Sequence, residues 1–194
     1  MARSADFFSF LGLPRKLNLD MGDLEQRYRA LSRQFHPDYF YNAPAAERRA
    51  SLEKSSYLND AYRSLKNPVS RIEYLLQLEG LGAKGPEEAS KQVPPALLEE
   101  VFALNEELDE IRGMRESGAP ADSWKARLER ARTPIEAKRV DHEAQLQALS
   151  TRWDSAVADD ERRAILQSLR ERFLERNYIN NLLAGIEREL GADT

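Results

Sequence analysis

Tyr28-Arg29-Ala30-Leu31-Ser32-Arg33-Gln34-Phe35-His36-Pro37-Asp38 is the stretch on which the reading of this chain turns. Leu24, Tyr28, Leu31 and Phe35 are spaced 4, 3 and 4. At about 100° per residue they share one stripe, which predicts an amphipathic helix. Asp20 is its expected N-cap, and Asp23 puts negative charge in the first turn, where the helix dipole favours it. Arg33 lies opposite the apolar stripe with Arg29 next to Arg33, and Arg27 lies at the flank of the stripe. Pro37 cannot continue the helix and turns His36 away from helical angles. The run therefore ends in a corner from which His36, one of two histidines in the chain, and Asp38 project.

Working outward, nearly every periodic segment is helical, and the chain is read as all-α. Asp6 to Leu11 predicts a short helix closed by Gly12 and Pro14. After a polar loop through Pro44, a helix is expected from about Ala45 to Lys66, with Leu58, Ala61, Tyr62 and Leu65 at the spacing of a buried face. Asn67-Pro68 reads as N-cap and first-turn proline of a short helix carrying Ile72, Tyr74, Leu75, Leu76 and Leu78. Gly80 to Pro95 is rich in glycine and proline and poor in apolar residues, the pattern of a domain boundary. The expected division is 1–80, a linker over 81–95, and 96–194.

In the second segment a helix is predicted from Ala96 to about Arg115, stopped by Ser117-Gly118-Ala119-Pro120. Asp122 is expected to cap the next helix, which continues towards Leu149 with a kink or short break at Pro134. A long final helix is expected from Asp159 or Asp160 to about Leu190-Gly191. Three helices joined by short turns imply an antiparallel bundle.

Composition narrows the function classes. The chain has 194 residues, 32% charged and 41% hydrophobic, with a net charge of −4, so no general attraction to nucleic acid or an anionic membrane is expected. It has no cysteine, which excludes disulfides, a cysteine nucleophile and cysteine ligation of zinc or an iron–sulfur cluster. The opening Met-Ala-Arg-Ser-Ala-Asp-Phe-Phe-Ser-Phe has no signal-peptide pattern, and no segment reaches membrane-spanning length, so a cytoplasmic location is expected. Glycine-rich phosphate loops, metal-ligand clusters and nucleophile motifs are missing, so neither an enzyme nor a resident cofactor is expected. His142 reads as a solvated or core-edge residue of a charged helix.

The helix that begins near Ala96 carries two apolar faces. Leu97, Val101, Leu104, Leu108 and Ile111 are spaced 4, 3, 4 and 3, a bundle seam. Leu98 and Phe102 sit about 100° and 140° around the helix from Leu97, and Glu99, Glu106 and Glu110 follow them. Either Leu98 and Phe102 contact a second core neighbour, or they form an apolar patch edged by acids, as partner sites do.

His36-Pro37-Asp38 alone is a short motif open to chance. Its context is a basic amphipathic helix before it, a loop after it, and then a long helix with Asn59-Asp60-Ala61-Tyr62-Arg63-Ser64-Leu65. Together these resemble the J-domain, the helical hairpin of J-protein co-chaperones, over roughly Asp6 to Leu78. The resemblance implies that His36, Pro37 and Asp38 trigger ATP hydrolysis by an HscA/DnaK-type ATPase chaperone. It further implies that Arg29, Arg33 and Arg27 supply docking charge. Glu25 stands where a basic residue is common, and Tyr39-Phe40 replaces a basic continuation. Phe7-Phe8-Ser9-Phe10-Leu11-Gly12-Leu13-Pro14, Glu73-Tyr74-Leu75-Leu76 and Glu106-Glu107-Leu108-Asp109-Glu110-Ile111 extend the likeness to most of the chain. They resemble the HscB family, J-type co-chaperones of iron–sulfur cluster assembly. That likeness implies a J-domain followed by a C-terminal bundle that binds the scaffold protein IscU. The implied contacts are Leu98, Glu99, Phe102, Ala103, Glu106 and Glu110, with Phe173 of the last helix. Glu99 and Ala103 depart from the family's usual residue types. A J-protein with another client, and a helical scaffold without chaperone contact, are the alternatives.

Overall fold

The structure, a computed structural model, describes residues 6–82 and 94–191. Among these residues it is all-α, with no strand. Helices α1 (Phe7–Phe10), α2 (Met21–Phe35), α3 (Ala45–Lys66) and α4 (Pro68–Leu78) come first, with a 3-10 turn Pro37–Phe40 between α2 and α3. A second 3-10 turn, Pro95–Leu97, leads into α5 (Leu98–Glu116), α6 (Ala121–Ser155) and α7 (Asp159–Gly191). Most of the expected 81–95 linker lies outside the described residues. The chain divides into two compact units, and Ser150–Arg162 belongs with the first of them, which otherwise ends at Gly80.

In the first unit α2 and α3 form an antiparallel hairpin. Asp20 caps α2 by accepting from the Gly22 and Asp23 amides, as its position in the sequence predicts. Leu24, Leu58, Ala61 and Leu65 are buried together with Phe8, Leu11 and Leu13. Tyr28 stacks on Tyr62 with ring centroids 4.1 Å apart, and its hydroxyl donates to Asn59 Oδ1 at 2.9 Å. The short α1 is pinned to α4, because the Phe7 amide donates to the Tyr74 hydroxyl at 2.9 Å and the two rings stack.

Arg71 on α4 is 3% exposed, and it holds this unit together from inside. Its guanidinium donates to Leu65 O at 2.7 Å and Lys66 O at 3.5 Å, carbonyls that the end of α3 leaves without helical partners, and to Leu17 O. The Leu17 and Asn18 amides in turn donate to the Asp154 carboxylate of α6 at 2.7 and 2.8 Å. Burial lowers the Arg71 pKa, and the negative charge of Asp154 opposes that shift. Arg71→Leu strands three carbonyls, so chemical denaturation should show a loss of roughly 3–5 kcal/mol. A loss under about 1 kcal/mol would mean that water replaces the guanidinium without penalty.

In the second unit α6 runs antiparallel to both neighbours. Glu100 and Glu107 of α5 pair with Lys138 and Arg127 of α6, and Arg132 and Glu143 of α6 face Glu187 and Arg176 of α7. Leu97, Leu104, Ile111, Trp124, Leu128 and Ile135 pack with Ile179, Leu183 and Ile186. Of the kink or short break expected at Pro134, the break is absent, since α6 is one helix of 35 residues. An internal proline costs about 3 kcal/mol. Leu128 and Ile135, 0% and 3% exposed on either side of it, anchor the helix to the core and offset that cost.

His142 is neither solvated nor at the core edge: it is 3% exposed. Its Nδ1 lies 3.4 Å from the Glu175 carboxylate without hydrogen-bond geometry. Burial holds the imidazole below its usual pKa of 6.5; Glu175 and Asp141 pull upward, while Arg172 and Lys138 push downward. The unfolded chain thus binds this proton more readily than the folded one, and stability falls as pH drops through and below about 6.5. The His142→Leu chain should lose less stability than wild type between about pH 7.5 and 5.5, measured by urea denaturation at each pH. Equal losses would remove His142 as the cause.

Candidate functional site

The corner after α2 is built by its proline. His36 leaves the helix with φ −61° and ψ 127° and becomes the N-cap of the Pro37–Phe40 turn. The Asp38 amide donates to His36 Nδ1 at 3.3 Å, which fixes the ring relative to the turn. Asp38 Oδ2 is 3.5 Å from the same nitrogen, and the side chains of His36 and Asp38 are 50% and 86% exposed. Tyr39 meets the His36 ring edge-on at 6.1 Å. Ser32, Arg33, His36, Asp38 and Tyr39 line a shallow cavity of about 230 Å³.

Two residues that sequence reasoning missed hold this corner in place. The Phe35 carbonyl, at the end of α2, accepts from Ser51 Oγ at 2.8 Å and Ser55 Oγ at 2.7 Å, both on α3. Ser51 is 3% exposed, so its hydroxyl serves the fold rather than solvent. The four-residue spacing of these serines, on the side of α3 that also carries Leu58, was the available signal.

The three arginines play different parts. Arg29 is exposed and pairs with Glu25 at 2.6 Å, so the acid that departs from the basic pattern offsets the charge of Arg29. Arg33 is exposed, with Nε on Arg29 O at 3.3 Å. Arg27, its side chain 41% exposed, also has a task within the first unit. It donates to Asp23 at 2.8 Å and to Gly12 O at 2.7 Å, bracing the turn between α1 and α2. Gly12 has φ +67°, and a Cβ there would sit 2.8 Å from the Arg27 guanidinium, so the brace needs glycine on both counts.

Along the seam that runs into α5 all residues are buried except Leu108, which is partly buried against the same core, and the off-seam pair is exposed. Leu97, Val101, Leu104 and Ile111 are at most 8% exposed, whereas Leu98 is 40% and Phe102 70% exposed. Glu99, Ala103 and Glu106 are exposed beside them. Glu110 is tied to Arg127, which also holds Glu107 and keeps the Glu107 carboxyl below its usual range. Phe173 corrects its expectation: at 6% exposure its ring fills the interior and offers almost no surface. The family resemblance named Phe173 by its position on α7, and position alone did not say which neighbour covers it.

Among the described residues no helix is long and apolar enough to cross a membrane, and no cluster of three or more metal-ligating side chains occurs.

Comparison with known proteins supplies the last observation. The DnaJ domain family matches residues 6–74, a span that contains the corner. The Co-chaperone protein HscB of Proteus mirabilis (strain HI4320) is 32% identical over 167 residues, covering 86% of this chain and 92% of that protein. Among solved structures, chaperone HscB from Vibrio cholerae superposes with a TM-score of 0.65 at 27% identity, over 98% of this chain and 100% of that one. Human co-chaperone protein HscB gives 0.67 at 25% identity, over 97% and 84%.

Proposed function

The chain belongs to the HscB co-chaperone family, and from that premise we propose that it couples an iron–sulfur scaffold protein of the IscU kind to an HscA/DnaK-type ATPase chaperone. The observation that carries this reading is the exposed His36-Pro37-Asp38 corner inside a DnaJ domain, with an exposed apolar pair, Leu98 and Phe102, on a different compact unit. The corner stimulates ATP hydrolysis by the chaperone. The α5 face, through Leu98, Glu99, Phe102, Ala103 and Glu106, holds the scaffold, with Glu110 at its edge. Tethering raises the effective concentration of scaffold at the chaperone. Hydrolysis occurs in the chaperone; this chain contributes contacts and no reacting group. The reading includes a cytoplasmic location, no resident cofactor, and no nucleic acid or membrane partner.

The test is direct. The full chain should raise the ATPase rate of a matched chaperone and should bind the scaffold in calorimetric titration. Stimulation without scaffold binding would leave a J-protein with another client; neither result would leave a helical protein of other function.

Docking charge gives a further expectation. Arg29 and Arg33 are exposed on the helix that leads to the corner, and Glu25 loses its partner when Arg29 is removed. Arg29→Ala plus Arg33→Ala should weaken chaperone binding about tenfold, and added salt should weaken the wild-type contact, because exposed charge pairs are screened. An affinity indifferent both to salt and to the double substitution would move the docking surface elsewhere.

A further inference from the structure

The second unit contains a groove of about 750 Å³ between α5 and α6, of which the reading above uses only the α5 rim residues Glu99 and Ala103. Its floor is apolar: Leu104 from α5, and Ala131, Pro134 and Ile135 from α6. The opening lies between two cross-helix ion pairs. Glu100–Lys138 bounds one end and Glu107–Arg127 the other, with Ala103 and Ala131 between them. Two alanines leave the helices clamped but the space between them unfilled.

Polar features of the groove are specific. Glu99 on the α5 wall and Arg130 on the α6 wall have no salt bridge among the described residues; Arg130 Nε donates only to Ala126 O of its own helix, at 3.3 Å. Pro134 has no amide hydrogen, so the Arg130 carbonyl lacks its helical donor and is available as an acceptor. The groove thus offers an apolar slot, an acid on one wall, a base on the other and a backbone acceptor beside the base.

We propose that this groove takes an extended segment of the scaffold client. The segment's aliphatic side chain enters the slot, a basic neighbour meets Glu99, and an acidic neighbour meets Arg130. The inference rests on the client reading above and extends it from α5 to α6. Continuity supplies the occupant: Glu99 and Ala103 are both wall of the groove and part of the face that carries Leu98 and Phe102. A client seated on that pair covers the α5 rim of the groove.

The chain has no cysteine, so one introduced thiol reports on one place. Ala131→Cys in the full chain, alkylated with and without saturating IscU-type scaffold and read by intact mass, should react at least tenfold more slowly when scaffold is bound. Asp122→Cys, on the same helix but not part of the groove, should react at an unchanged rate. In calorimetric titration Arg130→Glu should weaken scaffold binding at least fivefold. Its melting temperature should stay at the wild-type value, because Arg130 is exposed.

Unprotected Ala131→Cys together with wild-type affinity of Arg130→Glu overturns the proposal. If Leu98→Ala plus Phe102→Ala still weakens binding in that case, the client reading stands and the groove alone fails. No scaffold binding by the wild type overturns both. Protection that grows with the chain's own concentration, without scaffold, makes the occupant a second copy and also overturns it.

Discussion

Asp38→Asn should abolish stimulation of the partner chaperone's ATPase while circular dichroism and scaffold affinity stay at wild-type values. The carboxylate is 86% exposed and belongs to no core contact. The corner's backbone contact, the Asp38 amide on His36 Nδ1, does not involve the carboxylate at all. Replacing a carboxylate oxygen by an amide nitrogen keeps the shape and removes the charge. A loss of stimulation therefore reports the charge presented to the partner, not a collapsed turn. His36→Gln should have the same effect on stimulation, since it removes the ring against which Asp38 and Tyr39 are arranged. Full stimulation by both variants with unchanged spectra would rule out the corner as the trigger.

Leu98→Ala plus Phe102→Ala separates the other partner. Both residues lie off the seam, and Phe102 is 70% exposed, so the pair should cost under about 1 kcal/mol of stability. Leu104→Ala, in the seam at 5% exposure, should cost roughly 2–5 kcal/mol. Scaffold affinity of the double variant should nevertheless fall at least about tenfold, because apolar anchors carry much of an interface's free energy. Chaperone stimulation in the absence of scaffold should not change. Thermal melts and calorimetric titration of the same samples decide it. A large drop in melting temperature with unaltered affinity would make the pair structural and leave the client face unassigned.

The geometry behind these two expectations was legible before any coordinates because it is local, whereas the partners themselves come from the family resemblance. Helical periodicity put Leu24, Tyr28, Leu31 and Phe35 on one stripe, separated Leu98 and Phe102 from the α5 seam, and made Asp20 and Asn67 caps. Proline chemistry turned the chain at His36. Each depends on residues within about four turns of one another, and such relations are written in the order of residues. Which neighbour faces which side chain is another matter.

Arg27 stands at the flank of the α2 stripe and Arg29 away from it, but only the fold shows that the first braces Gly12 while the second faces solvent beside Glu25. Arg71 stands at i−4 from Leu75 on the buried face of α4, a signal that a cation lay inside, but its acceptors appear only once α3 and the loop through Leu17 are in place. Asp154 meets Leu17 across 137 residues and joins the end of α6 to the first unit. Glu110 taken up by Arg127, His142 buried against Glu175, Phe173 turned inward and Pro134 tolerated within α6 have the same origin. The sequence by itself determined the helices, their faces and the corner. Only the tertiary structure decided which charges are already spoken for and which apolar residues remain for a partner, because burial and pairing depend on neighbours that the chain brings together from far apart.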